Sequence, residues 1–199
     1  PLDYGITAVV PAITEFTRRY PQCKVDAVFS DQPLDLMAGQ MELAIRVGWL
    51  SDLNVQARQI GGFRQLLVAA PSMRGQLAQI RQPQHIGALP FVANTALRTP
   101  CSWSFSHGGL EPQSVTVHPV ISLDATLGVR EAVRQGAGLS VLPDFAVADD
   151  LKNGTLIQVL PKWGLPSGGI HAVFPAARFR PAKVRAFVDL MQEQISSRT

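Results

Sequence analysis

Between Ser122 and Pro143 the chain reads Ser-Leu-Asp-Ala-Thr-Leu-Gly-Val-Arg-Glu-Ala-Val-Arg-Gln-Gly-Ala-Gly-Leu-Ser-Val-Leu-Pro, and few architectures accommodate that order. Val129, Ala132, Val133 and Gly136 recur at the spacing of one helix face. Asp124 or Thr126 is placed to cap the helix start by accepting a backbone N–H. Gly136 and Gly138 suit its end, where a left-handed backbone costs glycine nothing. Leu139 to Leu142 is a short apolar run, the mark of a buried parallel strand, and Pro143 closes it. Strand, loop, helix, glycine turn and strand make a βαβ unit, hence an α/β fold. A helix that starts at the carboxyl end of a strand offers its amides to an anion or a polar small molecule. The loop Leu123 to Thr126 is therefore the first candidate for ligand contact; an ordinary βαβ unit with no ligand is the plainer reading of the same residues.

The rest of the chain alternates in the same way. Tyr4 to Tyr20 carries Val9, Ile13, Phe16 and Tyr20 as an apolar helix stripe, with Arg18 and Arg19 in the last turn and Pro21 as the stop. Cys23 to Ser30 sets Val25, Ala27 and Phe29 against Lys24 and Asp26, the pattern of a strand exposed on one side. Leu34 to Ala38 reads as a short helix ended by Gly39, Leu43 to Val47 as a strand, and Phe63 to Ala70 as a strand ended by Pro71. Beyond Pro71 the periodicity lapses: Gln76 to Ile80 reads as a short helix and Arg81 to Leu89 as a loop. Strands are expected at Phe91 to Thr95, Trp103 to Phe105, Val115 to Ser122, Thr155 to Leu160 and Ile170 to Phe174. Helices are expected at Asp144 to Leu151 and Pro181 to Ile195. The 199 residues then divide into two lobes, 1–70 with 171–199, and 71–170, each large enough for a small core. The chain crosses between them near Ala70-Pro71 and Gly169-Ile170, and a cleft between lobes is a usual place for a small ligand.

Composition excludes several classes. The net charge of +3 is spread out, with small clusters at Arg18-Arg19 and Arg178 to Arg185 and no dense basic stripe for nucleic acid. No run approaches the roughly 18 apolar residues of a membrane helix. Cys23 and Cys101 make neither a CxxC pair nor a disulfide framework; they fit a reducing compartment, with a single bridge left open. His85, His107, His118 and His171 lack metal-ligand spacing. Ser140 lies outside a Gly-x-Ser-x-Gly elbow, and the glycines form neither GxGxxG nor a P-loop, so no enzyme, metal or cofactor is expected. Cys101 reads as a small buried residue, and Trp103 and Trp163 as core. Trp49, after a glycine at a strand end, is placed to stack on an aromatic ligand. The start at Pro1 has no methionine and no signal pattern, and reads as a fragment or a processed chain.

Taken in order, several pieces resemble one family nearly end to end: Phe16-Thr-Arg-Arg-Tyr-Pro21, Asp35-Leu-Met-Ala-Gly39, Glu42-Leu-Ala-Ile-Arg-Val-Gly48 and Val68-Ala-Ala-Pro71. They continue with Arg134-Gln-Gly-Ala-Gly-Leu-Ser-Val-Leu-Pro143, Gly154-Thr-Leu-Ile-Gln-Val-Leu160, Val173-Phe-Pro-Ala-Ala-Arg178 and Lys183-Val-Arg-Ala-Phe-Val-Asp189. The chain resembles the effector-binding domain of LysR-type transcriptional regulators. The resemblance implies a two-lobed, type 2 periplasmic-binding-protein-like α/β fold, each lobe a mixed sheet flanked by helices. Members carry a first strand just before the segment matching Pro1-Leu2-Asp3, and before that a winged helix-turn-helix and linker helix; DNA would be read by those parts and not by this chain. The implied protein is cytoplasmic, non-enzymatic and free of membrane contact. It senses a small-molecule effector and pairs as a homodimer or homotetramer, with Leu34 to Ala38 and Asp124 to Arg134 as candidate surfaces.

The effector contacts that the resemblance implies fall on Leu2, Asp3 and Tyr4, on Asp31 and Gln32, and on Gly48 and Trp49. In the second lobe they fall on Asn94 and Thr95, Ala125 and Thr126, and Leu142, Pro143 and Phe145. Many members place Ser or Thr where this chain has Asp3. An ionised aspartate there repels an anionic effector unless a cation or proton intervenes; the plainer role for Asp3 is a helix cap. A transporter's substrate-binding component on the same fold is the alternative function.

Overall fold

A computed structural model describes residues 1–31, 41–49, 56–109, 111–175 and 181–197. The chain forms two compact units, Pro1–Phe63 with Gly168–Thr199, and Arg64–Ser167. Elements are numbered along the chain.

The first unit opens on one helical run: α1 (Leu2–Tyr4), a π turn (Gly5–Val9) and α2 (Val10–Arg19). Pro11 accounts for the wide turn. It has no N–H to return to the preceding turn, and the Val10 amide reaches back five residues to the Gly5 carbonyl. The wide turn rotates the apolar face. Tyr4, Ala8, Ala12 and Phe16 are buried, whereas Val9 and Ile13 of the expected stripe are half-buried and Tyr20 is exposed. The Phe16 ring meets Tyr20 at 4.9 Å and the edge of Phe187 at 5.4 Å between centroids.

Three strands follow, β1 (Ala44–Gly48), β2 (Gln56–Phe63) and β10 (Gly168–Phe174), forming an antiparallel sheet with β10 in the middle. Helix α6 (Ala182–Ser196) buries Val184, Val188, Leu190 and Met191. Gly61 admits Ile195 of that helix, whose Cγ2 lies 2.7 Å from where a Cβ would stand. Cys23 to Ser30 departs from expectation: it runs without turn or bend but joins no ladder, and Val25 and Val28 are exposed. Its alternation is that of a strand, but no partner strand lies beside it among the described residues. The expected helix Leu34 to Ala38 and the site residue Gln32 lie outside the described residues, as does Arg178.

In the second unit β3 (Gln65–Ala69) pairs antiparallel with β8 (Ser140–Pro143) and with β9 (Ile157–Gln158). The single strand expected over Phe63 to Ala70 is thus two. β2 ends at Phe63, and the ladder partners of β3 belong to the second unit. The units therefore part at Phe63/Arg64 and Ser167/Gly168, where the sequence suggested 70/71 and 170/171. β8 also departs from the parallel strand expected, because its ladder to β3 is antiparallel and only a bridge from Leu139 to Phe91 is parallel.

β4 (Phe91–Asn94) and β7 (Pro119–Leu123) pair parallel, and β5 (Ser102–Phe105) with β6 (Gln113–Thr116) antiparallel. Pro119 cannot donate to a ladder and marks the break that splits the expected strand Val115 to Ser122 in two. Helix α3 (Arg74–Leu77) begins earlier than expected, and the loop expected over Arg81 to Leu89 contains a 3₁₀ turn, Pro83–Ala88. Two cores result. One gathers Leu67, Phe91, Trp103, Phe105 and Leu139, with Cys101 and Trp163 packed partly against it. The other joins Val68, Val92 and Leu142 to helices α4 (Thr126–Arg134) and α5 (Asp144–Asn153) through Val129, Val133 and Val147. Gly154 ends α5 in the left-handed region at φ +78°, as its place after Asn153 suggests.

Candidate functional site

The second unit builds a polar corner at the carboxyl ends of its parallel strands. β4 ends at Asn94 and β7 at Leu123, in register. Thr95 ties the two together: its amide donates to the Leu123 carbonyl at 2.7 Å and its hydroxyl to the same oxygen at 3.2 Å. Three residues after Leu123, α4 begins. Its N-cap is Ala125, so no side chain caps the first turn, and neither Asp124 nor Thr126 takes the expected capping role. The first-turn amides of a helix have no intrahelical partner, and the helix dipole adds positive potential there.

Asn94, 7% exposed, reaches across to this turn. Its Nδ2 donates to Thr126 Oγ1 at 3.2 Å, while its Oδ1 accepts from the Ala96 amide at 3.1 Å. Four of the sequence-nominated residues, Asn94, Thr95, Ala125 and Thr126, thus meet at one corner. Leu142 differs. Its side chain is 1% exposed inside the apolar core, which leaves only its backbone for a ligand. Pro143 and Phe145 are half-buried and flank Asp144. Asp144 has a role that no local pattern signals: its Oδ2 accepts from the Arg64 amide at 3.2 Å and Arg64 Nε at 3.3 Å, and its own amide donates to the Arg64 carbonyl at 2.9 Å. Arg64 is the first residue after the chain leaves the first unit.

In the first unit Asp31 caps the first helix, accepting from the Leu2 amide at 2.8 Å. Asp3 is not that cap. It lies inside the helix, 3% exposed, with Oδ1 accepting from the Tyr4 amide at 2.7 Å. Gly48 holds φ +123°, a conformation only glycine adopts at ease. It turns Trp49 out to 58% exposure, with its ring edge-on to Phe63 at 6.2 Å. Tyr4, Asp31, Gly48 and Trp49 all line one groove of about 910 Å³, together with Pro1 and the stretches 23–30 and 41–47. Leu2 and Asp3 stand outside it. Among the described residues no group of His, Cys, Asp and Glu is arranged to hold a metal. Ser140 is 1% exposed and donates to the Val92 carbonyl at 2.8 Å, a structural bond between β8 and β4.

The fold is that of a LysR-type regulatory domain. The family model described as the LysR substrate binding domain matches residues 3–196, and the chain belongs to that family. The HTH-type transcriptional regulator PtxR of Pseudomonas aeruginosa is 34% identical over 195 residues, covering 98% of this chain and 62% of that protein. An HTH-type transcriptional regulator of Xanthomonas campestris pv. campestris is 32% identical over 203 residues, covering 98% and 58%. The chain thus spans less than two thirds of the length of these relatives. Among solved structures, the full-length Vibrio cholerae virulence activator AphB, a member of the LTTR family, superposes with TM-score 0.79 at 25% identity, covering 98% of this chain and 66% of that one. The CrgA regulatory domain of Neisseria meningitidis gives 0.84 at 20%, covering 98% and 95%, and speaks to the fold alone. The fold is the type 2 periplasmic-binding-protein-like α/β fold that the sequence suggested. These relatives are transcriptional regulators, and the transport-protein alternative is set aside.

Proposed function

We propose that this chain is the sensing domain of a cytoplasmic LysR-type regulator and that its effector is a small polar molecule held at the corner formed by Asn94, Thr95, Ala125 and Thr126. The observation that carries the reading is the Asn94–Thr126 contact at an α4 start with no side-chain cap. Amides without intrahelical partners beside a buried amide and a hydroxyl favour a carboxylate, phosphate or carbonyl oxygen. Pro143 and Phe145 supply apolar surface for the remainder of the ligand. The effector acts only through its differential affinity for two arrangements of the regulator, which pairs with a second copy and reads DNA through residues outside this chain. No catalytic step is assigned.

A thermal-shift screen against small organic acids, aromatic acids, amino acids and quinone-like compounds tests this. A ligand at about 100 times its Kd adds roughly 2.7 kcal/mol, several degrees in a domain of this size. Thr126→Ala and Asn94→Ala abolish the ligand-dependent shift if the corner is the site. A shift that survives both corner substitutions places the effector elsewhere.

A further inference from the structure

Asn153 and Gly154 form the only Asn–Gly pair in the chain, and both stand exposed at the end of α5. Asn153 is the last helical residue; Gly154, at φ +78°, turns the chain out of the helix. The backbone nitrogen after an asparagine is placed to close a five-membered ring on the side-chain carbonyl carbon, which is the root of asparagine's thermal lability. Bulk on the following residue opposes closure, and so does burial of the carboxamide away from water. Asn54 and Asn94 are followed by the β-branched Val55 and Thr95, which crowd the nitrogen, and Asn94 is 7% exposed. Gly154 has no side chain, and no atom beyond its chain neighbours lies within 4 Å of where a Cβ would stand. Thr155 adds a further element. Its amide donates to Asn153 Oδ1 at 3.0 Å, and its hydroxyl lies 2.7 Å from the same oxygen. Attack on a carboxamide builds negative charge on its oxygen, and donors already aimed there stabilise that charge. The hydroxyl is also 2.7 Å from Asp150 Oδ1. Its one proton can turn to Asn153 because Arg134 and Arg130 remain at Asp150, at 3.3 and 3.8 Å.

We propose that Asn153–Gly154 is a self-modification site, at which the chain converts its own asparagine to aspartate and isoaspartate while Thr155 stabilises the oxyanion. Gly154 N gives its proton to water or hydroxide and bonds to Asn153 Cγ. The Cγ–Nδ2 bond breaks, and Nδ2 leaves as ammonia with a proton taken from solvent. Water then adds to either carbonyl of the succinimide. Opening at one side restores the ordinary backbone as aspartate; opening at the other routes the main chain through the former side chain as isoaspartate. Either product places a new carboxylate at the negative end of the α5 dipole. It also stands across the Thr155 hydroxyl from Asp150, where like charges repel. Because Asp150 joins α5 to α4, the conversion loosens that pair.

The intact chain is held in neutral and in mildly alkaline buffer, and its digests are read by mass spectrometry with electron-transfer fragmentation, which separates isoaspartate from aspartate. The peptide carrying Asn153 is expected to exchange ammonia for water faster as hydroxide rises, with isoaspartate formed, while the peptide carrying Asn94 stays unchanged. Thr155→Val is expected to slow the conversion about tenfold, less than a buried oxyanion donor costs because water fills the hydroxyl's place. The parent's Tm is expected to fall as isoaspartate accumulates. Asn153→Gln, whose extra methylene disfavours ring closure, keeps its Tm through the same incubation. A synthetic peptide of residues 151–155 sets the timescale. Asn153 intact in the folded chain after that peptide has converted, or conversion at Asn94 equal to that at Asn153, overturns the proposal. So does a Thr155→Val rate equal to the parent's, or a parent Tm that stays constant through the conversion.

Discussion

At the scale of single residues, Leu142 and Thr126 carry opposite consequences. Leu142 is sealed in the core with Val68, Val129 and Val147, and truncation leaves a cavity. Leu142→Ala is expected to cost about 2–5 kcal/mol in urea unfolding. Thr126→Ala removes one half-exposed hydroxyl contact and is expected to cost about 1 kcal/mol or less, with its effect appearing in ligand binding. Equal losses from the two would contradict the placement of Leu142 in the core and of Thr126 at a surface corner. His171 is a residue whose protonation matters. It sits on β10 opposite Arg46 and Gln59, its Nδ1 is buried without a hydrogen-bond partner, and burial holds its imidazole below the ordinary 6.5. The unfolded chain takes up that proton first, so stability is full above about pH 6.5 and falls as the pH drops toward the folded-state value. His171→Gln is expected to flatten the acid limb of a stability-against-pH curve, measured as Cm between pH 7 and 5. An unchanged limb would assign the acid loss to other groups.

At the scale of elements, α4 and α5 are joined by more than apolar packing. Asp150 of α5, 7% exposed, accepts from Thr155 Oγ1 at 2.7 Å and pairs with Arg134 Nε at 3.3 Å and Arg130 Nε at 3.8 Å, both on α4. Asp150→Ala removes the partner that two arginines and the Thr155 hydroxyl share, while Arg130 keeps the Ala146 carbonyl, Arg134 keeps Glu131 and Thr155 keeps Asn153; a loss of about 1–2 kcal/mol is expected, with Arg134→Ala non-additive to it in a double-mutant cycle. Additive losses would show that the two residues act separately. The βαβ stretch containing α4 was legible because helix periodicity, glycine punctuation and a β-branched run coincide there. Gly138 shows why that punctuation is strict: a Cβ there would stand 2.5 Å from the Pro90 carbonyl oxygen. Less legible was whatever depends on distant partners. The alternation of Cys23 to Ser30 was plain, but a ladder needs a neighbour, and none stands there among the described residues. The stripe of the first helix was misplaced because Pro11 inserts a π turn that no fixed 3.6 period anticipates. At the polar corner the residue types were legible from the family resemblance, whereas the direct Asn94–Thr126 contact and the Arg64–Asp144 clamp join residues 32 and 80 positions apart, beyond any local pattern.

At the scale of the molecule, the two units carry separate exposed apolar patches, and a pair of unlike patches is what a two-fold dimer uses twice. On the first helix Leu2, Ile6 and Val10 are 37%, 51% and 41% exposed at steps of four residues, away from the buried Tyr4, Ala8 and Ala12. On β7, Val120 and Ile121 are 61% and 36% exposed, and among the described residues the strand pairs only with β4. An open strand edge with exposed β-branched residues is a hazard unless something covers it. A dimer in which the helix stripe of one copy covers β7 of the other would bury both patches, and the symmetry would repeat the contact with the roles exchanged; these surfaces differ from Leu34 to Ala38 and Asp124 to Arg134, which the family resemblance suggested. One substitution then alters the interface twice. Ile6→Lys and Val120→Lys are each expected to shift the chain from dimer to monomer in sedimentation equilibrium, and the Tm of the parent chain, unlike that of either variant, should rise with concentration. Because each substitution sits on a different patch, the two must act alike. A Lys at Val120 that dissociates the dimer while a Lys at Ile6 leaves it intact would mean that β7 pairs with its own copy, edge to edge, and that the helix stripe serves something else.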